Sequence, residues 1–499
     1  MIRRSAVISR RHFLVTAAAS AATAIVAACG SARPASPIPA PESSRGASAT
    51  ISTATVAAVT PSLPSIPSRT APATAVVSPT PLPVPAEVVV WLRDHGIPFA
   101  TVEPGDDFSD LQPLKRIIGD ARIVSVGEAT HGTHEFQAMK DRLVRFLVTE
   151  MGFTDFAMEA NLPECERVND YVHTGQGDLP QLLRGLYFWT WNTEEVRDMI
   201  NWMRAHNASP AGAPRISFHG FDMQSIRVAM GDVLTYLRQV DPPAATDADA
   251  RYKNLPGRFI ANQDATMRLR GGSAADRSAF LAGAQNVYDN LVAMRTRYTA
   301  ASTPDAYARA LQDARVAVQG AEYVAAEPVR KNDVRDQYMA ENVTWLLDQA
   351  GANARIILWA HNQHVGTTPY VTVKSMGMWL RERYGDAMRV VGQTFYAGTC
   401  NAVEGMVTEV VVPPPLPDSY EAALHETGYP RVIVDLRAVH AGTTATDWLE
   451  GPHPSRAIGA GYDEAAPEKF FNETRLAEKF DALIYIQDST ATRLLPSIG

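Results

Sequence analysis

The segment VGEATHGTHEF (126–136) sets Glu128 and His131 three positions apart, with two residues between them, inside a turn bracketed by Gly127 and Gly132. A carboxylate beside an imidazole fixes its tautomer and raises its pKa. The ordinary histidine value of about 6.5 already suits proton abstraction at neutral pH. The two glycines allow a tight turn that can bring backbone close to a substrate. His134 starts the following helix, where its role can be structural. A second cluster, WAHNQH (359–364), carries His361 and His364. If its strand neighbours that of Glu128, these imidazoles share the cleft of His131 and their N–H groups can stabilise an oxyanion. A metal site is the competing chemistry. HGTH (131–134) and HNQH (361–364) each supply histidines three apart, with Glu128 and Glu159 as further ligands.

These residues fall at strand ends. Glu128 follows RIVSVG (122–127), Glu159 ends FTDFAME (153–159), Asp222 lies just past RISFHG (215–220), and His361 and His364 follow RIILWA (355–360). In open α/β sheets, ligands bind outside the carboxyl ends of the strands. One such acid is an ordinary structural feature, but four strand ends bearing acids or histidines describe a rim with a task.

The elements that must build this rim are legible as short apolar runs. To those four are added RVVGQTFY (389–396), RVIVDL (431–436) and ALIYIQ (482–487). Most are nearly continuous in apolar residues, as strands covered on both faces are. Between the first two, Phe136, Met139, Leu143, Leu147 and Met151 recur at helical spacing. The alternation predicts an α/β fold with a mainly parallel central sheet flanked by helices. From about 225 to 350 the rhythm changes. A Pro- and Asp-containing loop, DPPAATDADA (241–250), precedes three helical stripes. They run through Phe280–Tyr298, Tyr307–Ala321 and Val334–Leu346 and predict a large helical insertion, either a lid or plain scaffolding.

The N-terminus reads as an address. Arg10 and Arg11 stand before an uncharged Ala-rich run that ends in Val26-Ala27-Ala28-Cys29. The run is shorter than the roughly 20 apolar residues a bilayer span needs. It fits a twin-arginine secretory signal over 1–28, with Cys29 as the lipidation site of an exported, membrane-anchored lipoprotein. Residues 29–85 are rich in Pro, Ala, Ser and Thr. The stretch 31–85 holds 12 of the 34 prolines and no aromatic residue, a composition that tethers rather than folds. The catalytic domain is expected over 86–499. Without the signal's four arginines the chain has 42 basic and 54 acidic side chains, a net −12. No basic stripe is present, so nucleic acid is not an expected partner. Cys165 and Cys400 can form one disulfide outside the cytoplasm, and no CxxC pair marks a cysteine-based zinc site. No GxSxG elbow occurs, HEFQA (134–138) fails HExxH at its last position, and no phosphate-binding glycine fingerprint is present.

Taken together, GEATHGTHEF, FAMEA (156–160), FWTWNTEEVRDMINWMRAHN (188–207), FHGFDMQ (218–224), RDQYMAENV (335–343) and WAHNQHV (359–365) resemble the erythromycin esterase family, in order and over nearly all of 86–499. The resemblance implies that family's α/β architecture and the opening of a carboxylic ester, such as a macrolide lactone, by water without a required metal. It implies His131 as general base, Glu128 as its orienting acid, Glu159 lining the site, and His361 and His364 supporting the oxyanion or substrate. It also implies a basic residue in the first helix, Lys140 or Arg142. Lys140, Asp222 and Asn362 are the expected substrate contacts. The export signal departs from the antibiotic-inactivating members and bears on the substrate more than on the chemistry. Two further readings of the same rim are a metal-dependent hydrolase and a tethered ligand-binding lipoprotein.

Overall fold

The computed structural model describes residues 83–209, 214–253, 269–370, 372–404 and 406–496. The expected signal, Cys29 and nearly all of the tether lie outside these residues. Among the described residues no helix is long and apolar enough to cross a membrane.

The centre is a nine-stranded sheet. Its strands are β1 (Gly96–Pro98), β2 (Ile123–Val126), β3 (Asp155–Asn161), β4 (Ser217–Asp222), β5 (Ile356–Trp359), β6 (Met388–Glu404), β7 (Met406–Val412), β8 (Arg431–Asp435) and β11 (Ala482–Ser489). The order is β1-β8-β11-β6-β2-β5-β3-β4, with β7 paired to the far half of β6. The six strands from β11 to β4 run parallel. Antiparallel β8, β1 and β7 close the margins. β9 (His453–Arg456) and β10 (Phe471–Thr474) form a separate hairpin.

All seven expected strands are present. Those in the middle are apolar throughout because both faces are covered. In β2, Val124 and Val126 face one core while Ile123 faces the other; in β5, Ile357 and Trp359 oppose Ile356 and Leu358 in the same way. The first face is covered by the His134–Met151, Leu162–Thr174 and Glu194–Ala208 helices. The second is covered by the Ala86–His95, Lys331–Ala350 and Met376–Tyr384 helices. His134–Met151 buries Phe136, Met139, Leu143 and Leu147 and stops at Gly152, whose φ of 70° returns N–H bonds to Leu147 and Val148. That is the left-handed cap glycine supplies most easily.

The helical insertion has a core of its own, built from Ile226, Phe280, Leu291, Tyr298, Tyr307 and Val318 among others. Two details differ from the sequence reading. DPPAATDADA is not a loop: Pro242–Lys253 is helical, since prolines in a first turn forfeit only N–H groups that have no partner there. The third stripe packs on the sheet rather than within the insertion, with Met339, Val343 and Leu346 in the second-face core. Asn342 joins the two bodies, accepting from Gln312 and Gln319 and donating to the Phe221 carbonyl at the end of β4.

The glycines around Glu128 are required by close packing against protein. A Cβ at Gly132 would collide with the carbonyl of Asn401 in β6, and one at Gly127 with the Asn362 side chain. Gly132→Ala is therefore expected to cost about 1–3 kcal/mol or more, read as a lower urea midpoint. An unchanged midpoint would mean that this turn is not clamped to β6.

Candidate active site

β2 ends at Val126, and the next residues are pinned on both sides. Gly127 N–H donates to Val391, Gln393 donates to the Gly127 carbonyl, and His131 N–H donates to Gly459. In the turn thus fixed, His131 Nδ1 lies 2.7 Å from Glu128 Oε1. The other carboxylate oxygen, Oε2, accepts from Lys140 Nζ at 2.8 Å and from Trp359 Nε1 at 3.1 Å. Glu128 and Lys140 are almost wholly buried, whereas the His131 side chain keeps 12% of its surface. Nδ1 is spent on Glu128, which leaves Nε2 without a protein hydrogen-bond partner among the described residues. Burial pushes the Lys140 ammonium down to about 8 against the pull of Glu128. Trp191 packs edge-on to His131 and donates to the Glu159 carbonyl. Gln137 ties the turn to the 188–193 segment through the carbonyls of His131 and Thr190 and the Thr193 hydroxyl.

The two distant loops converge. The His131 and His361 rings are 5.3 Å apart, and Asn362 N–H donates to the Glu128 carbonyl at 2.8 Å. Burial, then the neighbouring imidazoles of His131 and His364, hold the His361 pKa well below the ordinary value. Its Nδ1 accepts from Gln363 N–H, so Nε2–H donates to the Ala129 carbonyl, 3.3 Å away. His364 gives Nδ1–H to Asp336 at 2.9 Å, while Nε2 accepts from Arg335 Nη1 at 3.0 Å. Burial lowers its affinity for a proton, but Asp336 and Glu159 outweigh burial and Arg335, and the pKa is raised. A proton arriving at Nε2 must exchange the Arg335 bond for Glu159 Oε1, 3.4 Å away.

Arg335 is the hub of this side. Nη2 donates to Glu159 Oε1 at 2.6 Å and to Asp222 Oδ2 at 2.7 Å, and Nε also faces Asp222. Glu159 accepts the His361 N–H through Oε2. Burial would raise the Glu159 pKa, but His364, Arg335 and His131 overcome it and hold the carboxyl well below the usual range. Tyr370 donates to Asp336, as does Met376 N–H.

The structure thus brings Glu128, His131, Glu159, His361 and His364 together. It sets the three expected substrate contacts one layer deeper. Lys140 lies beneath Glu128. Asp222 is fully buried and bound to Arg335, Gln224 and Met223 N–H. Asn362 spends both ends of its amide on the Gln393 backbone, joining β5 to β6. With their polar atoms satisfied by protein, they hold cleft groups in place rather than face the cleft. Arg142, the alternative to Lys140, reaches away to Asp110 and the Thr101 and Asp107 carbonyls. His134 begins its helix and pairs with Glu195 and Glu103, which raise its pKa to about 9. HGTH therefore does not converge on one point. Among the described residues no group of three His, Cys, Asp or Glu side chains is arranged to hold a metal ion. Cys165 and Cys400 are buried and free, so the possible disulfide is not formed.

Arg335, Asp336, Tyr370 and Trp191 were not assigned from the sequence. Three of them sit in or beside quoted motifs: RDQYMAENV opens on Arg335 and Asp336, and Trp191 lies in FWTWN. Tyr370 carries no sequence signal.

Ionisable groups from the carboxyl ends of parallel strands gather around a partly exposed histidine, and this α/β site, taken with the chain's family and relatives, marks an enzyme of the hydrolase class. The chain belongs to the erythromycin esterase family, described as "Erythromycin esterase", whose profile matches residues 148–489. It is 28% identical over 330 residues to erythromycin esterase type II of Escherichia coli, covering 62% of this chain and 77% of that one. It is 24% identical over 432 residues to YbfO of Bacillus subtilis, covering 81% and 92%. A crystal structure of a Bacillus cereus protein superposes with a TM-score of 0.73 at 26% identity, covering 82% of this chain and 99% of that one.

Lys140→Met leaves the Glu128 carboxylate buried beside a histidine without its cation. Removing one partner of such a pair costs about 3–5 kcal/mol. The variant should unfold at markedly lower urea, and the further change Glu128→Gln should restore part of the loss. Wild-type stability in Lys140→Met would show that the pair carries no such burden.

Proposed function

We propose that the protein is a carboxylic ester hydrolase in which His131 is the general base. The supporting observation is the 2.7 Å His131–Glu128 contact. It orients the imidazole through Nδ1 and leaves Nε2 free for water. Water adds to the ester carbonyl carbon while its proton passes to Nε2 and the carbonyl pair moves onto oxygen. Collapse expels the alkoxide, which takes the proton back from His131, so the products are one acid and one alcohol. Arg335 is the cation best placed to balance the oxyanion. It is held among Glu159, Asp222 and His364, and its second Nη1 N–H has no acceptor among the described residues. His361 and His364 have both nitrogens engaged; on this reading they shape and fix the cleft, and the oxyanion falls to Arg335.

The reading is metal-independent, supported by donor chemistry: Glu159 is committed to Arg335 and the His361 backbone, and His364 to Asp336 and Arg335. A chelator should leave the rate unchanged. One of the relatives is an erythromycin esterase, which makes a macrolide lactone the first substrate to try. Incubation with an ester and macrolide panel should yield a product heavier by one water. His131→Ala should lose about a hundred- to ten-thousand-fold in rate, the usual worth of a general base, while keeping the fold; Glu128→Gln should lose rate to a similar degree and also some stability, because it leaves buried Lys140 without its anion. Wild-type turnover by either variant would remove the mechanism.

We further propose that the enzyme is exported and held at a membrane by lipidated Cys29, on the strength of the twin-arginine run, the short apolar stretch and the small residues before the cysteine. Wild-type protein should partition into detergent and Cys29→Ser should not; equal partitioning would refute the anchor.

A further inference from the structure

A second polar cavity, of about 630 Å³, lies between the Leu162–Thr174, Arg227–Val240 and Pro304–Ala325 helices and is lined by none of the residues grouped around His131. A neighbouring cavity of about 310 Å³ shares Glu166, Asp305, Arg309 and Trp345 with it, so the two form one elongated groove. Its larger part is lined by five acids and two arginines. The arginines are already answered: Arg167 donates to Asp232 at 2.6 Å and Arg309 stands 3.8 Å from Glu166. Asp313 is different. It lines the cavity with 8% of its surface exposed, and among the described residues its carboxyl has neither a hydrogen bond nor an ion pair.

A carboxyl so placed is costly when ionised and unpartnered, and burial indeed holds its pKa well above the usual range, with Asp232 and Glu166 adding to the effect. Arg167 pulls the other way but is bonded to Asp232, so no cation pairs directly with Asp313. Asp170 and Asp305 add negative charge along the walls, and the rings of Tyr236 and Trp345 border the same space. Aromatic walls and carboxylates together are the surroundings that favour organic ammonium groups. The volume is that of a small-molecule pocket, and the acids are spread along a groove rather than gathered at one point.

We propose that this groove binds a linear organic polyamine, with one ammonium seated on Asp313 and the others along the acidic wall. None of these residues belongs to the proposed hydrolytic machinery, so the site stands or falls separately from it.

The test is calorimetric titration of the full chain with spermidine at low ionic strength, with 1,8-octanediol and magnesium chloride as probes of chain and charge alone. Spermidine should bind and raise the melting temperature; the diol and magnesium should not. Asp313→Asn, a near-isosteric change, should weaken spermidine on the order of tenfold, the worth of a charged hydrogen bond. Thr235→Trp, which fills the groove from its exposed wall, should weaken it as well. Ester turnover should be unchanged in both variants. Absence of spermidine binding to the wild type would overturn the proposal. So would equal binding by both variants, or a magnesium response as large as that to spermidine.

Discussion

The ion pair between Lys140 and Glu128 is the constraint around which the rest is built. Taking two charges out of water costs several kcal/mol each, and their attraction repays this only with good geometry and further hydrogen bonds. Here the geometry is supplied from three directions. The turn after β2 brings Glu128, the first turns of the His134–Met151 helix bring Lys140, and the last residue of β5 brings the Trp359 N–H. A carboxylate held by those donors on Oε2 has only Oε1 to offer, and His131 takes it. Orientation of the partly exposed imidazole therefore follows from an interaction that is itself out of reach of solvent.

The same logic repeats across the cleft with the signs reversed. Arg335 is a buried cation surrounded by Asp222, Glu159 and the lone pair of His364, and Asp336 steadies His364 from behind. Arg335 and Asp336 come from the helix that closes the insertion, whose next turns pack on the sheet. That helix, packed on the sheet, furnishes one wall of the site. The insertion's remaining helices keep a separate core, and the acidic groove among them shares no lining residue with the proposed site.

Much of this was legible in the chain. The seven central strands announced themselves because burial on both faces demands unbroken apolar runs. The short β1, the hairpin β9–β10 and the half-exposed β7 have no such run, and the extension of β6 beyond Tyr396 lies in that same half-exposed hairpin. Glu128 and His131 were readable because their contact is local. Lys140 was named, but its depth was not, although it stands four residues after Phe136 on the buried stripe. Arg335 meets Glu159 and Asp222 across 176 and 113 residues. On a helix surface an arginine reads as solvated unless the fold is known. Asn362 and Asp222 lie at the strand ends where substrate contacts belong, but only the packing shows their polar atoms already taken.

The central claim is that the buried pair dictates which nitrogen of His131 carries the proton. Nitrogen-15 NMR of the histidine rings at neutral pH tests it directly. The account predicts that the His131 resonances are those of the Nδ1–H tautomer, with a bare Nε2, and that they move towards the shifts of free imidazole in Glu128→Gln. A wild-type His131 protonated at Nε2, with Nδ1 bare, would contradict it.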